Sequence, residues 1–543
     1  MKKGGDSVFR PNDDHRQQHF FDSTHHMNPK IVEKLEKSWA SKFYEHIFCQ
    51  IDEAPFAVLY SDMGRPNTPV NILISLEYIK HMKDLTDPDL IDAFHFDYLV
   101  NYAVGIRTLG EMNLAPRTLY YFRQRVYEYC QENPEGEALL FRQFITLVEH
   151  FAKEAGIDLK EQRYDTTHVI SNIKKAGRLA LAYDVLVKSI NAIPEEKRTE
   201  SLRRALDKDF KTHMLYKVKA GESEKRTARL LTLCQEALGV MEATSTDTPA
   251  EVRQLLKRFI QEQTHQVEGK QVLRSTKDIR SDSLQSAHDT EATYRIKGNK
   301  GHSGYSLGIS ETCSAENPFQ LITDYSIQPN ITSDVEILSQ RAGKIREHTG
   351  VEKLYVDGGF HGKAVYNAAE ENQIDIHLTN MTGKPLQKMD PTAFELSEDN
   401  HIITCPKGEK PLRANLTRDQ TIAHFSQEAC DNCQYFKDCY SKKQKKDYVV
   451  RISLKSIDAS KKRDIMKAEK KENISKRAAI EGTNSCLKRT GLDHPKVRGQ
   501  QKISFVSGYK SVGQNAKRFF RFLAGGYKKK PVPLPGISLP IFT

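Results

Sequence analysis

Segment 351–362 restricts the possible folds of this chain more than any other. Its apolar residues 354–356 predict a short buried strand that runs directly into Asp357, and Gly358 and Gly359 predict a tight turn just after it. In α/β enzymes, a carboxylate at the C-terminal end of a buried strand is often a catalytic acid or a metal ligand. Ordinary turn chemistry explains the same residues. The meaning of Asp357 therefore depends on whether the chain supplies it with partners.

The charge of the chain points to a polyanionic partner. Its 543 residues carry a formal net charge of +11. Much of the excess lies after residue 440, in lysine-rich clusters at 442–446, 461–463, 470–471 and 528–530. Such clusters suit a nucleic acid, because each phosphate that they neutralise releases counterions, although solvated helix faces show the same pattern. No apolar run reaches the roughly 18 residues of a membrane span, and no secretory signal is visible, so we expect a cytoplasmic protein without membrane partners.

The N-terminal part of the chain reads as a flexible polar tail, 1–28, followed by a helical domain, 29–155. Apolar residues recur there at helical spacing, and Thr86 and Asp89 predict a helix start. A further helix begins near Pro116 and carries Arg117 and Arg123, which we take as candidate DNA contacts. These helices fit either a helix-turn-helix-like DNA-binding domain or a plain helical bundle with arginines on its surface.

Two further acids are candidate partners of Asp357. Asp165 lies in a strand-like segment, 156–177, and Glu481 lies on a predicted helix, 473–489. Arg477 and Lys488 have helical spacing from Glu481, so all three are expected on one helix face. Two acids on neighbouring strands and one on an adjacent helix form an arrangement that holds two Mg²⁺ ions. A salt-bridged surface stripe explains the spacing around Glu481 equally well.

Four of the nine cysteines have the spacing of metal ligands. A proline and a glycine follow Cys405, Cys430 and Cys433 form a C-x2-C pair, and Cys439 comes six residues later. Four thiolates can complete a tetrahedral structural zinc site, which would help a polar module with little core of its own. Unrelated reduced thiols or a redox pair remain alternatives.

The ordered set of motifs resembles the insertion-sequence DDE transposases. Asp165-Thr166-Thr167-His168-Val169 resembles their first-acid motif, and the segment 355–360 resembles their second-acid motif. Arg477-x3-Glu481-x6-Lys488 is similar to their third-acid signature. That signature usually begins with a tyrosine three residues before the arginine, where this chain has Ile474. The segments 64–123 and 294–306 resemble the N-terminal domain and a strand pair of the same family.

The resemblance implies an α/β fold with an RNase H-like catalytic core, in which a mixed sheet is flanked by helices. It also implies an N-terminal helical domain, a helical insertion and a small Cys-rich insertion, here called the cysteine module. The implied bounds are: core, 156–177, 285–374 and 456–525; helical insertion, 178–284; cysteine module, 375–455; proline-rich tail, 526–543.

The resemblance also implies an activity. A transposase of this kind would cut and join DNA at the ends of its element, with Asp165, Asp357 and Glu481 holding two Mg²⁺ or Mn²⁺ ions. Arg477 and Lys488 would bind phosphates, and His168, close to Asp165 in sequence, could assist. The implied partners are double-stranded DNA, at the element ends and the target, and a second copy or more of the chain, in the bacterial nucleoid. A metal-dependent nuclease without strand transfer and an inactive DNA-binding regulator remain alternatives.

Overall fold

A computed structural model describes two compact units, Met1–Val351 with Ile480–Thr543 (the first unit) and Glu352–Ala479 (the second unit). Within them the structure describes residues 9–13, 15, 22–61, 63–134, 138–173, 177–216, 218–219, 221–243, 248–267, 270–380 and 388–527. Apart from 526 and 527, the predicted proline-rich tail lies outside these residues, as does the 528–530 lysine cluster.

The helices and strands alternate in a mixed α/β arrangement. The α-helices are α1 Pro29–Glu36, α2 Trp39–His46, α3 Val70–Lys83, α4 Asp87–Phe96, α5 Tyr98–Ala103, α6 Pro116–Glu132, α7 Leu139–Ala155, α8 Arg178–Ala192, α9 Glu200–Ala205, α10 Lys208–Leu215, α11 Glu222–Ala243, α12 Ala250–Gln263, α13 Asp334–Thr349, α14 Lys363–Glu371, α15 Gln427–Asp431, α16 Leu454–Ala478, α17 Ile480–Leu487 and α18 Gln500–Leu523. The strands are β1 Glu161–Ile170, β2 Thr264–Val267, β3 Lys270–Leu273, β4 Thr293–Lys297, β5 Lys300–Thr312, β6 Ile322–Pro329, β7 Lys353–Val356, β8 Asp375–Leu378, β9 Glu395–Leu396, β10 Ile402–Thr404, β11 Arg413–Leu416, β12 Gln420–Phe425, β13 Ser441–Lys443 and β14 Tyr448–Ser453.

The N-terminal helices form where local sequence predicts them. The Thr86 hydroxyl accepts the backbone N–H of Asp89, whose carboxylate accepts the N–H of Thr86, so α4 begins in a capping box. Helix α7 ends at Gly156, which has the left-handed φ of 63° that favours glycine. Helix α3 is buried on most of its surface and packs against α18. Helix α18 therefore contributes side chains to the core of the N-terminal helices.

The described part of the N-terminal segment is anchored rather than free. The backbone N–H of Asn12 donates to Glu53 at 2.7 Å, and the Asn12 side chain donates to Asn71 at 3.1 Å. The His15 ring packs edge-on against Phe48, 4.8 Å between centroids. The expectation of a flexible tail over 1–28 is therefore wrong for residues 9–13 and 15, because their polar groups bond to the helical domain.

Antiparallel strands of the first unit carry Asp165. The long strand β5 pairs first with β4 and then lies between β1 and β6. The register places Asp165 opposite Ile309 and Arg163 opposite Glu311. Helices α7 and α18 pack against β6, and α17 packs against β1. The predicted strand around Asp165 and the predicted pair over 304–327 are confirmed.

The helical insertion has its own apolar core. Five helices, α8 to α12, enclose a cluster of buried side chains, among them Leu186, Leu230 and Phe259. The strands β2 and β3 form an antiparallel hairpin after α12. The described part of this segment is therefore mainly helical.

The second unit contains a parallel strand pair and the cysteine module. Strands β7 and β8 are parallel, with Val356 opposite Leu378 and α14 between them in the chain. Strand β8 therefore belongs with β7, so the module does not begin at residue 375 as predicted. The strands β11, β12, β14 and β13 form the antiparallel sheet of the module, which packs against α16.

The helix predicted over 473–489 is two helices. Helix α16 ends at Ala478, Ala479 caps it, and α17 begins at Ile480. Lys488 then opens one turn of π-helix, in which Gly491 has a positive φ of 87°. The prediction that Arg477, Glu481 and Lys488 share one continuous helix is therefore wrong, since they occupy three successive elements.

Candidate active site

Asp165 is held by the helix that carries Glu481. The Asn484 side-chain amide donates to the Asp165 carboxylate at 3.1 Å. Asn484 lies in α17 and is 7% exposed, whereas Glu481 lies one turn earlier and is exposed. This contact fixes β1 and α17 side by side within the first unit. The structure thus places the Asp165 strand against the helix that carries Glu481.

A buried ionic network beside Asp165 fixes the same elements. The Glu311 carboxylate is fully buried and accepts from Arg163 at 2.8 Å, from Arg518 at 2.6 Å and from the Thr483 hydroxyl at 2.6 Å. Arg163 lies on β1, two residues before Asp165, and Thr483 lies on α17, two residues after Glu481. A carboxylate this deeply buried has lost its hydration, and these partners compensate for that loss. Sequence reasoning missed Glu311, Arg518 and Asn484.

His168 does not share a face with Asp165. Successive strand residues point to opposite faces, so residues three apart in β1 lie on opposite sides. Consistently, Thr166 donates to Asp334 at the start of α13, whereas Asp165 meets α17. The His168 ring stacks on His302, and burial together with Lys297 lowers its pKa to about 4. A neutral, stacked ring on the other face makes the suggestion that His168 assists Asp165 wrong.

Asp357 lies in the second unit, at the end of β7. Its carboxylate accepts the backbone N–H of Gly359 at 2.7 Å and lies 3.5 Å from the Arg477 guanidinium. Gly358 is required there, because a Cβ at this position would lie 1.8 Å from the Asn380 side-chain oxygen. The turn orients Asp357, and the Arg477 guanidinium lies beside its carboxylate.

The end of α16 is fixed against β7 and β8. Lys476 donates to the Tyr355 hydroxyl at 3.1 Å, and Asn473 donates to the Leu378 carbonyl at 3.0 Å. These contacts place Arg477 beside Asp357. Lys488, the other predicted phosphate ligand, lies half-buried directly after α17 in the first unit.

The two α6 arginines predicted to contact DNA differ in their surroundings. Arg117 is exposed in the first helical turn. Arg123 pairs with buried Glu77 at 2.6 Å and with Asp87 at 2.7 Å. Burial opposes the ionisation of Asp87, but hydrogen bonds from Arg123 and Lys80 outweigh it and hold the pKa of Asp87 well below its usual range. Arg123 therefore joins helices inside the domain, and its contact with DNA stays a prediction.

The four predicted zinc ligands line one small cavity in the second unit. Cys405, Cys430, Cys433 and Cys439 surround a space of about 20 Å³. Tight turns present the thiols: the N–H of Gly408 donates to the Cys405 carbonyl at 2.7 Å, and the N–H of Cys433 to the Cys430 carbonyl at 3.2 Å. Burial and the three neighbouring thiols raise the pKa of Cys430 to about 11.

Within the part of the chain that the structure describes, no group of three or more His, Cys, Asp and Glu side chains is spaced to hold a metal ion. The four thiols thus share a cavity without having the spacing of a metal centre. Among the same described residues, no helix is long and apolar enough to cross a membrane.

Two family models match separate parts of the chain. Residues 404–520 match a model described as a transposase DDE domain, and residues 32–125 match one described as a transposase domain of the DUF772 type. These two matches indicate an insertion-sequence DDE transposase. No curated protein and no solved structure gives a significant match.

The matched regions cover part of the predicted site of this transposase. The DDE domain contains Glu481, Arg477, Lys488 and the four cysteines, and the other domain contains Arg117 and Arg123. Asp165 and Asp357 lie outside both matches. The family implies a DNA-processing enzyme with DNA as its partner, and DDE domains typically use a divalent metal ion.

Proposed function

We propose that this transposase cleaves DNA at the ends of its insertion sequence and joins the freed 3′-OH to target DNA. Asp165, Asp357 and Glu481 act together on an RNase H-like core as ligands for two Mg²⁺ ions, or for Mn²⁺. The observation that carries the proposal is the Asn484–Asp165 contact, because it puts the Glu481 helix against the Asp165 strand.

The donor chemistry fits magnesium. All three acids supply carboxylate oxygens, which Mg²⁺ prefers to nitrogen or sulfur. Among the described residues, the Asn484 side-chain oxygen is buried without a hydrogen-bond partner while its amide nitrogen bonds Asp165. An oxygen in this position is available for a cation or its water. Bound Mg²⁺ would activate water and stabilise charge on the leaving oxygen.

The side chains around the acids have positioning roles. Asn484 orients the Asp165 carboxylate, and Arg477 orients that of Asp357. Arg477 and Lys488 offer cations to the DNA phosphates, and hydrogen-bonded cations of this kind hold a phosphodiester in place. The exposed Arg117 and the basic segment 440–470 contact DNA further from the scissile bond, in a homodimer or larger assembly in the cytoplasm.

The cysteine module is proposed to hold structural Zn²⁺ through Cys405, Cys430, Cys433 and Cys439. Four thiols and two tight turns match the donor set of a closed structural zinc site. A bound zinc ion would require the four thiols to move to ligand spacing around their shared cavity. Such a site stabilises the fold and takes no part in the phosphodiester chemistry.

The proposed function is tested with a supercoiled plasmid that carries the element ends, incubated with protein and Mg²⁺. Strand-transfer products are expected from the native chain. Asp165→Asn and Asp357→Asn are each expected to lower cleavage at least about 100-fold, since loss of a metal ligand removes several kcal/mol of transition-state stabilisation. Cleavage without strand transfer would favour a nuclease, and binding alone a regulator.

Asp334→Asn is the matched control. Asp334 accepts from Thr166, the neighbour of Asp165 on β1, but on the opposite face of the strand. Cleavage by this variant should stay close to that of the native protein. If Asp165→Asn left strand transfer intact, or if Asp334→Asn abolished it equally, the assignment of the three acids would be wrong.

A further inference from the structure

The helical domain contains a groove that the proposed active site does not use. It encloses about 490 Å³ between the 60–68 loop and α6, and its lining includes Tyr60, Arg65, Asn67, Thr118, Tyr121 and Arg125. Two guanidinium groups and two phenol rings thus face one concavity. The described lining residues include two guanidinium groups and no carboxylate.

Helical spacing divides α6 into two sides. Thr118, Tyr121 and Arg125 follow one another at intervals of three and four residues and line the groove. Leu119, Phe122 and Val126 are the buried residues of the helix and fix it to the domain. The Tyr121 side chain is 60% exposed, so its ring remains open to a ligand.

The wall opposite α6 is built by long-range contacts. Asn67 accepts the backbone N–H of Arg10 at 2.7 Å and donates to the Arg10 carbonyl at 3.2 Å. The Tyr60 ring packs on Phe9, with 5.6 Å between centroids, and the Arg125 guanidinium lies 4.9 Å from the centre of the Tyr60 ring. Because Tyr60 holds Arg125 at the groove, the Arg125 guanidinium is already in position before any ligand binds.

Cations beside an open aromatic ring recognise a particular ligand chemistry. Proteins that bind single-stranded nucleic acid combine a basic groove for the backbone with aromatic rings on which bases stack. In a duplex, each base is already stacked between its neighbours, so it cannot present its face to a ring in a cavity. The base of an unpaired nucleotide can stack on such a ring. A cavity of several hundred Å³ is also in the usual size range of small-ligand sites.

We propose that this groove binds an unpaired nucleotide of a DNA strand. Its base stacks on Tyr121, and its phosphate lies between Arg65 and Arg125. The inference rests on the proposed function in one respect, namely that DNA is the partner. It assigns to Tyr121, Arg125 and Arg65 the recognition that the sequence suggested for Arg123.

The test compares a blunt duplex with the same duplex carrying a short single-stranded extension, without added metal ion. Binding is followed by fluorescence anisotropy, and 2-aminopurine in the extension reports stacking through its quenching. Tyr121→Ala is expected to weaken binding of the extended DNA about tenfold, to abolish the quenching, and to leave the blunt duplex unaffected. Arg125→Ala is expected to reduce the salt dependence of binding by about one phosphate contact.

Tyr120→Ala is the matched control. Tyr120 is the adjacent residue of α6 and is 47% exposed, but it lies near Arg123, outside the groove. The proposal is overturned if both tyrosine variants lose equal affinity, or if Tyr121→Ala weakens blunt and extended DNA equally. Since binding is measured without catalysis, failure here is distinct from failure of cleavage in the plasmid assay.

Discussion

The helical insertion and the cysteine module reach stability by different routes. Five helices of the helical insertion bury a continuous apolar cluster, in which Leu186, Leu230 and Phe259 are completely enclosed. The described apolar cluster of the module has seven buried side chains, and three cysteines, Cys405, Cys430 and Cys439, pack beside it. Each enclosed apolar side chain contributes about 1.5–3 kcal/mol. The module therefore has less apolar stabilisation and greater need of a cross-link.

A cysteine in each region shows the contrast directly. Cys234 is fully buried in the core of the helical insertion, where burial raises its pKa to about 12. Cys430 faces three other thiols across a small cavity. One thiol serves as a small apolar side chain, whereas the other has neighbours suited to metal binding.

The largest expected effect is that of Cys430→Ser. If zinc holds the module together, this change should abolish tight zinc binding and expose the module to protease, because structural zinc contributes about 10–16 kcal/mol to folding in small zinc domains. Elemental analysis and limited proteolysis within 388–453 measure the two effects. Cys234→Ser is the control and should keep all its zinc. Stoichiometric zinc in the Cys430 variant would contradict the comparison.

Phe259→Ala should have the largest effect on the helical insertion. Removing this enclosed ring leaves a cavity and is expected to cost about 3–5 kcal/mol. Hydrogen exchange of peptides from α8, α11 and α12 would then speed up, while peptides of the module would not change. A metal chelator should instead speed up hydrogen exchange in peptides of the module and leave peptides of α8, α11 and α12 unchanged. Accelerated exchange in α8 on adding chelator would show that the two regions are not stabilised independently.

A smaller effect is expected in the pH dependence of the metal-free module. The pKa of Cys430 is raised to about 11 from an ordinary value of 9.0, so the folded, metal-free module holds this proton more tightly than the unfolded chain. The neutral Cys430 thiol stabilises the folded module at pH values below 9.0, the ordinary pKa. This stabilisation is lost as the pH rises toward the raised pKa of about 11. Zinc displaces the proton, so zinc affinity should instead increase with pH.

Thermal unfolding at several pH values, with and without zinc, measures both trends. Cys234 supplies the control. Its pKa is also raised, so its contribution to stability falls with rising pH in the same direction, but it binds no zinc. Equal pH trends in the presence and absence of zinc would exclude the thiols of the module as its ligands.

The smallest effects are expected for surface ion pairs, which both regions contain. Lys257 pairs with Glu242 at 2.8 Å in the helical insertion, and Lys443 pairs with Asp431 at 3.1 Å in the module. Both pairs are about half exposed, so Lys257→Ala and Lys443→Ala should each leave the stability of the protein nearly unchanged. Chemical denaturation measures this. A large loss of stability in either region would show that surface ion pairs, rather than apolar burial or zinc binding, stabilise that region.

Local patterns in the sequence predicted the elements more reliably than the contacts between them. The capping box at Thr86, the end of α7 at Gly156 and the strand that carries Asp165 all follow from residues close in sequence. The opposite orientation of His168 could also have been foreseen, since residues an odd number apart on a strand face opposite sides.

The partners of the candidate site depend on long-range register. Arg163 and Glu311 are 148 residues apart in the chain and meet because β1 pairs with β5. The sequence alone suggests that Arg123 is a surface cation, because its two carboxylate partners lie on other helices, α3 and α4. No periodicity within a single segment specifies which distant residues will face one another across a sheet.

The position of α18 has a consequence for how the chain is made. This helix supplies Ile503, Val512 and Phe519 to the core that the N-terminal helices share, and Arg518 to buried Glu311. Ribosomes release a chain from its N-terminus, so the helical domain emerges hundreds of residues before the helix that completes it. We therefore expect the first unit to reach its native state only after α18 has left the ribosome, with its unfinished apolar surfaces dependent on chaperones until then.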